Sequence, residues 1–89
     1  MPTTTPLLDI LLTIHDIATD PKMTTERLAM RRACSERHAK RYIAEARHLG
    51  ADIQSVRTPD GYVWRVGNWD AIRDRLTTWI DLEKSRSLV

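Results

Sequence analysis

Two pairs of residues have side-chain types and spacings that could do chemistry. Cys34 and His38 lie four residues apart, so that on a helix both would face one side and could hold a metal ion. Two further ligands at zinc-type spacing are absent from the sequence. His15 and Asp16 are adjacent and would point to different sides of a helix, and the sequence offers no nucleophile–base pair or glycine-rich phosphate loop. We therefore expect no catalytic residue, no metal and no cofactor, and we interpret Cys34 as a small buried hydrophobe.

The basic side chains are a third candidate for chemistry, because they are unevenly distributed. Residues 22–48 carry eight Lys or Arg against three Asp or Glu, a formal charge of +5, whereas the remaining residues carry six against nine, or −3. The net charge of +2 therefore hides a dipolar chain. A basic exposed helix suits a DNA major groove, but basic faces that only meet solvent are equally common. Charge alone leaves both interpretations open.

Hydrophobic spacing and capping residues predict four helices and one β-hairpin, in the order α-α-α-β-β-α. The fold class is therefore mainly α with a small hairpin. We predict a first helix capped by Thr5 with Pro6 at its first position and ending at Asp20-Pro21, a second from Thr24 or Thr25 to Arg32, a third from Glu36 to Leu49 between Ser35 and Gly50, strands Ala51–Arg57 and Tyr62–Val66, and a last helix Trp69–Lys84 capped by Asn68.

The third helix separates an apolar from a basic face. Ala39, Ile43 and Ala46 form the apolar stripe, with Leu49 as a further member. In the hairpin, Ile53 and Val56 are the expected apolar anchors of the first strand, while Tyr62, Trp64 and Val66 share one face of the second. The connecting turn contains Pro59, which presets its backbone angle, and Gly61, which can take a positive φ. The opposite, basic face of the third helix carries Arg37, Lys40, Arg41, Ala44, Arg47 and His48.

The last helix has an apolar stripe that is large for so small a domain. It either folds back on the first helix and enlarges the core, or pairs with a second copy of the chain. We predict a homodimer, because a single module of this size buries only about 600–1,000 Å² on DNA. The stripe that would form the dimer comprises Trp69, Ile72, Leu76, Trp79 and Ile80.

Composition excludes several classes of protein. The 89 residues, 42% hydrophobic, leave room for one small domain, which favours a binding module over an enzyme with a deep cleft. A single cysteine cannot form an internal disulfide, so we predict a cytoplasmic protein. The sequence begins without a signal-peptide pattern, and its most apolar segment, residues 7–14, is too short to span a membrane. We divide the chain into a flexible leader (1–5), a domain (6–66) and a C-terminal helix (67–89).

Five short segments together resemble the helix-turn-helix type 11 family, the winged-helix modules of bacterial transcription regulators. The resemblance covers about residues 7–66. It implies a winged helix-turn-helix fold, a recognition helix that begins at Ser35 and a β-wing around Pro59. The segments are Glu26-Arg27-Leu28-Ala29, Cys34-Ser35-Glu36-Arg37, Lys40-Arg41-Tyr42-Ile43, Leu49-Gly50-Ala51-Asp52-Ile53 and Asp60-Gly61-Tyr62.

Four positions depart from the family's pattern. Ala33 replaces a common glycine in the turn, His38 a threonine, Tyr42 an acidic residue and Ala46 a leucine. Tyr42 would make the helix more basic and aromatic and could add a phosphate contact. These departures affect the expected base preference more than the expected fold.

The combined pattern predicts a sequence-specific double-stranded DNA-binding protein, a small bacterial or phage transcription regulator with no small-molecule ligand and no membrane partner. Alternatives are a winged-helix adaptor that binds an acidic protein, and an architectural, excisionase-like factor that bends DNA. For Arg57 and Arg65 a solvated cross-strand pair is as plausible as a wing contact with DNA. The expected DNA-binding residues are Ser35, Arg37, His38, Lys40, Arg41 and Arg47, with Arg31, Arg32, Arg57 and Arg65 on the DNA backbone or in the minor groove.

Overall fold

The computed structural model describes the backbone of residues 6–87 and has the predicted architecture. Four helices and one two-stranded antiparallel hairpin follow one another in the order α-α-α-β-β-α, the arrangement of a winged helix. Within these residues no helix combines the length and apolarity needed to cross a membrane. The elements are α1 (Pro6–Thr19), α2 (Thr25–Arg32), α3 (Glu36–His48), β1 (Ile53–Thr58), β2 (Gly61–Val66) and α4 (Trp69–Ser87).

Helix α1 lies at the centre of the molecule. Helices α2, α3 and α4 and strand β2 all pack on it. Its buried residues Leu8, Leu11, Ile14 and Ile17 recur every three residues, so they wind around the helix and meet neighbours on more than one side. The core that they share with the other elements comprises Leu8, Leu11, Ile14, Ile17, Met23, Leu28, Ala29, Ala39, Ile43, Ala46, Ala51, Ile53, Leu76 and Ile80.

Capping side chains set the ends of α2 and α3. The Thr24 hydroxyl accepts a hydrogen bond from the backbone N–H of the third helical residue (3.2 Å), and the Ser35 hydroxyl does the same at the start of α3 (3.1 Å). Ala33 ends α2 in the left-handed conformation, at φ 54° and ψ 48°. Glycine adopts this conformation without a steric cost, whereas alanine does not. Gly50, at φ +104°, follows α3 as predicted. Thr5, the predicted cap of α1, lies outside the described residues.

The hairpin has a two-residue turn and a fixed register. Thr58 pairs with Gly61, which has a φ of +120°, and the Thr58 hydroxyl donates to the carbonyl of that glycine (2.7 Å). Ile53 is buried, but Val56 is 37% exposed, because residues three apart on a strand point to opposite faces. The backbone N–H of Trp64 also donates to the carbonyl of Met23 (2.8 Å), so the α1–α2 connection borders the sheet.

Helix α4 folds back on α1 and is part of the core. Leu76 and Ile80 are buried there. Asn68 precedes the helix as predicted, and its carbonyl accepts from the N–H groups of residues 71 and 72, but its side chain does not cap α4. Instead the amide accepts from the N–H of Asp52 and donates to the carbonyl of Gly50, both at 2.9 Å. Asn68 therefore holds the α3–β1 connection against the start of α4.

Candidate nucleic-acid interface

The outward face of α3 is basic because its buried face uses only three small or aliphatic side chains. Ala39, Ile43 and Ala46 are buried against α1 and α2, which places the opposite side of the helix in solvent. The exposed residues of α3 are Glu36, Arg37, His38, Lys40, Arg41, Ala44, Glu45, Arg47 and His48. Helix α3 thus presents the basic surface that the sequence predicted.

Three cations on this face have no carboxylate partner. Among the described residues no Asp or Glu forms an ion pair with Arg37, Lys40 or Arg41. Glu36 and Glu45 belong to the same helix but form no ion pair with these side chains. We name Arg37, Lys40 and Arg41 the open cation triad; its charge is available to a ligand.

The arginines of α2 are in the opposite situation, because Asp16 of α1 and Asp20, which directly follows α1, neutralise them. Asp20 accepts a 2.7 Å hydrogen bond from Arg27 and lies 3.6 Å from Arg31. Asp16 lies 3.3 Å from Arg32, whose side chain is only 16% exposed, and 3.8 Å from Arg31. Arg31 and Arg32 were expected at the DNA backbone, which stays a prediction. In the free protein both form ion pairs with Asp16 or Asp20, which lie four residues apart and face α2.

The two carboxyl groups respond differently to their surroundings. Burial raises the pKa of Asp16 above its usual value, and the neighbouring Arg32 and Arg31 counteract this only in part. The backbone N–H of Lys22 and the guanidinium of Arg27 hold the pKa of Asp20 below its usual value. The Asp20 carboxylate is therefore the firmer anchor of the α2 arginines.

The aromatic residue of α3 faces α1. The Tyr42 hydroxyl donates to the Asp9 carboxylate (3.4 Å), and burial together with that carboxylate raises the pKa of Tyr42. His38 meets the Tyr42 ring edge-on, with 4.9 Å between centroids. The phosphate contact of Tyr42 stays a prediction; in the free protein its hydroxyl is directed at Asp9 of α1. His38 lies at the border of the open cation triad.

Arg47 is exposed but bonded to the hairpin. Its Nε–H donates to the carbonyl of Ile53 (3.0 Å), and its guanidinium lies over the Trp64 ring, 5.6 Å from the centroid. The Trp64 indole N–H in turn donates to the hydroxyl of Thr25 (3.0 Å). Arg47, expected to contact phosphate, is thus used within the chain.

The two arginines of the hairpin point to opposite faces. The register places Arg57 opposite Tyr62 and Arg65 opposite Gln54. Since residues directly across from each other share a face, Arg57 lies on the same face as Trp64, on the side of α3, and Arg65 lies on the other face. The alternative of a cross-strand pair between the two arginines is therefore wrong, and only Arg57 shares a side with α3.

The pairs considered for metal or acid–base chemistry are used in packing. In the described part of the chain no group of three His, Cys, Asp or Glu side chains is placed to hold a metal. Cys34 is half-buried against the core, and burial raises the pKa of its thiol. His15 lies edge-on to Trp69, 6.1 Å between centroids, and 4.0 Å from the Asp16 carboxylate.

An apolar groove of about 320 Å³ lies between the start of α1, the end of α3 and the second half of α4. Its large hydrophobic residues Leu7, Leu49, Trp79 and Leu82 are each 40–57% exposed. Of the stripe predicted to form a dimer, only Trp79 reaches this groove. Leu76 and Ile80 are buried within the chain, and Trp69 and Ile72 pack against its core.

Comparison with known proteins adds no relative to this description. The chain matches no protein-family model, no curated protein and no solved structure.

Proposed function

We propose that this protein is a sequence-specific double-stranded DNA-binding protein, a small transcription regulator whose α3 enters the major groove. The observation that carries the proposal is the open cation triad: Arg37, Lys40 and Arg41 occupy one exposed side of a helix without carboxylate partners. The three arginines of α2, by contrast, form ion pairs with Asp16 or Asp20. The resemblance to the helix-turn-helix type 11 family supports the same proposal.

The dimensions of α3 suit the groove. Its 13 residues extend over roughly 20 Å, and the B-DNA major groove, about 12 Å wide, admits one helix. Arg37, Lys40 and Arg41 lie in the first half of α3, behind the Ser35 cap that fixes where the helix begins. Arginine can bond O6 and N7 of guanine bidentately, so Arg37 and Arg41 are the proposed base readers. Lys40 and the backbone amides of the first turn would meet phosphates.

Arg57 extends this surface. It lies on the α3 side of the hairpin and near its tip, opposite the exposed Tyr62. A helix in the major groove with a basic hairpin beside it would place Arg57 at the flanking phosphates or minor groove. We also propose that it acts in a reducing compartment, the cytoplasm of a bacterium, where its single cysteine stays reduced.

The decisive experiment is selection of random DNA duplexes by the purified protein, followed by anisotropy titrations of the recovered sequence. We expect binding that weakens steeply with salt, because each neutralised phosphate contributes about 0.9 to the slope of log K against log salt concentration. Arg37→Ala and Arg41→Ala should each lose about 1–3 kcal/mol and relax preference at one base pair. Arg75→Ala is the matched control: it removes the same charge from an exposed position on α4 and should bind normally.

Failure of any duplex to bind at low salt would refute the proposal. That result would favour the alternative function, an adaptor whose α3 binds an acidic protein surface. If bound DNA proves strongly bent in an energy-transfer measurement between its ends, the protein is architectural rather than a simple regulator.

We further propose that two copies bind together, through the apolar groove. The basic side of the molecule repels a second copy, whereas Leu7, Leu49, Trp79 and Leu82 offer apolar surface that the described residues leave open. Two-fold pairing would let two modules read a palindromic site. Sedimentation at high micromolar concentration should give a dimer, which Leu82→Gln dissociates. Met30→Gln, an exposed position on α2 outside the groove, is the control, and a monomeric wild-type protein would contradict the assembly.

A further inference from the structure

One chain of contacts connects α3 and the hairpin, the two elements that the proposed interface uses, with the start of α2. Arg47, in the last turn of α3, donates to the carbonyl of Ile53 at the base of the hairpin (3.0 Å) and covers the ring of Trp64 on β2. The Trp64 indole N–H donates to the hydroxyl of Thr25, the first residue of α2 (3.0 Å). We name these contacts the Arg47–Trp64–Thr25 chain.

The hairpin needs such external support. An isolated two-stranded hairpin is marginally stable in water, so its orientation depends on what holds its base. On its inner face Ile53, Trp64 and Val66 pack against the core, and on its other face Val63 is buried, whereas the turn at Asp60 and Gly61 is exposed. The backbone bond from Trp64 to Met23 fixes one edge of β2. The Arg47–Trp64–Thr25 chain fixes the same strand from the side of α3.

We propose that Arg47 is a positioning residue: it holds the hairpin at a fixed angle to α3, so that the triad on α3 and Arg57 on the hairpin reach one duplex together. Its contribution to DNA binding then passes through Trp64 and not through a phosphate. This inference rests on the proposed function. The part of it that says that Arg47 holds the hairpin can be tested in the protein without DNA.

The chemistry of the guanidinium explains why this position needs arginine. A planar guanidinium can stack on an indole while its Nε–H donates sideways to a carbonyl. A lysine ammonium keeps the charge but cannot do both. Arg47→Lys therefore separates the two roles: it retains a phosphate contact and breaks the positioning contact.

The first test measures the free protein. Backbone ¹⁵N relaxation at Gly61, in the turn of the hairpin, should show a lower order parameter in Arg47→Lys than in wild type. Thr25→Val, which removes the hydroxyl that Trp64 binds, should act in the same direction without any change of charge. Arg75→Lys on α4 is the control and should leave the hairpin unchanged. Equal order parameters in wild type, Arg47→Lys and Thr25→Val would overturn the proposal.

The second test measures DNA. On the selected duplex, Arg47→Lys should bind about 3- to 10-fold more weakly, the equivalent of one lost hydrogen bond. Combined with Trp64→Phe, which removes the indole N–H, it should lose little more than the worse single variant, because both changes break one chain. Wild-type affinity in Arg47→Lys, or losses that multiply in the double variant, would overturn the proposal. Absence of duplex binding by the wild type would refute the proposed function, whereas the relaxation result would still decide what Arg47 does to the hairpin.

Discussion

Replacing Ala33 with glycine should stabilise the protein. Ala33 ends α2 at φ 54° and ψ 48°, a conformation that costs a residue with a Cβ about 1–2 kcal/mol. Glycine adopts it without that cost. However, glycine also makes the unfolded chain more flexible, which reduces the stabilisation by about 0.4–1 kcal/mol. The Ala33 side chain is exposed, so its removal loses no buried surface. The net expectation is a gain of about 0–1.6 kcal/mol, and its midpoint of about 0.8 kcal/mol corresponds to roughly 3–6 °C in Tm for a domain of this size.

Thermal and urea unfolding followed by circular dichroism measure this gain. The matched control is Ala44→Gly, the same chemical change at an exposed position inside α3, where φ is helical and glycine should cost about 1 kcal/mol. The two variants should therefore move Tm in opposite directions. If Ala33→Gly is no more stable than wild type, the left-handed turn carries no strain and the argument is wrong.

Three further outcomes follow from contacts described above. Asn68→Ala should lose about 1–3 kcal/mol, because both hydrogen bonds to the α3–β1 connection disappear; the urea midpoint should fall at constant m. Asp20→Asn should be less stable than wild type at neutral pH. Because the folded pKa of Asp20 lies below the ordinary 3.8, this difference should persist down to that pH and close only as pH falls through the lowered pKa; a pH series of Tm values checks it. In duplex titrations Arg57→Ala should weaken binding more than Arg65→Ala, and equal losses would contradict the assignment of faces.

Local signals predicted most of the fold. Thr24 and Ser35 cap their helices through bonds to N–H groups only three residues away, so the relevant chemistry lies within a few residues of sequence. The Thr-Pro-Asp-Gly turn likewise fixes the hairpin, with Gly61 at positive φ. Such features depend only on residues that are close in sequence, so they can be predicted from the sequence alone.

The partners of the cations could not be predicted in the same way. Arg32 and Arg47 look alike in the sequence, but tertiary packing brings Asp16 to the first and Ile53 with Trp64 to the second. Charge counting treated both as available to DNA. One signal was present: Asp16 and Asp20 lie four residues apart at the end of the first helix, a spacing that places both carboxylates on one side of it.

The sequence did not decide whether the last helix packs on the first helix or pairs with a second copy of the chain, because its apolar stripe suits both roles. Leu76 and Ile80 are buried on α1, while Trp79 on the same helix remains 40% exposed. An apolar stripe gives the amount of surface to be covered, and the partner that covers each part depends on how α4 is rotated on α1. The sequence contains no local signal for that rotation.

The central place of α1 has a consequence for how the molecule unfolds. Helices α2, α3 and α4 and strand β2 rest on this one helix, and the buried face of each is completed by it. If α4 detaches, α1 loses one side of its packing and the basic helix on its other side loses its support. Opening should therefore be cooperative, and the slowest amides of α1, α3 and α4 should exchange with solvent at a common free energy, that of global unfolding. The helix that would bind DNA should therefore unfold only when the whole domain unfolds, with the same free energy of opening.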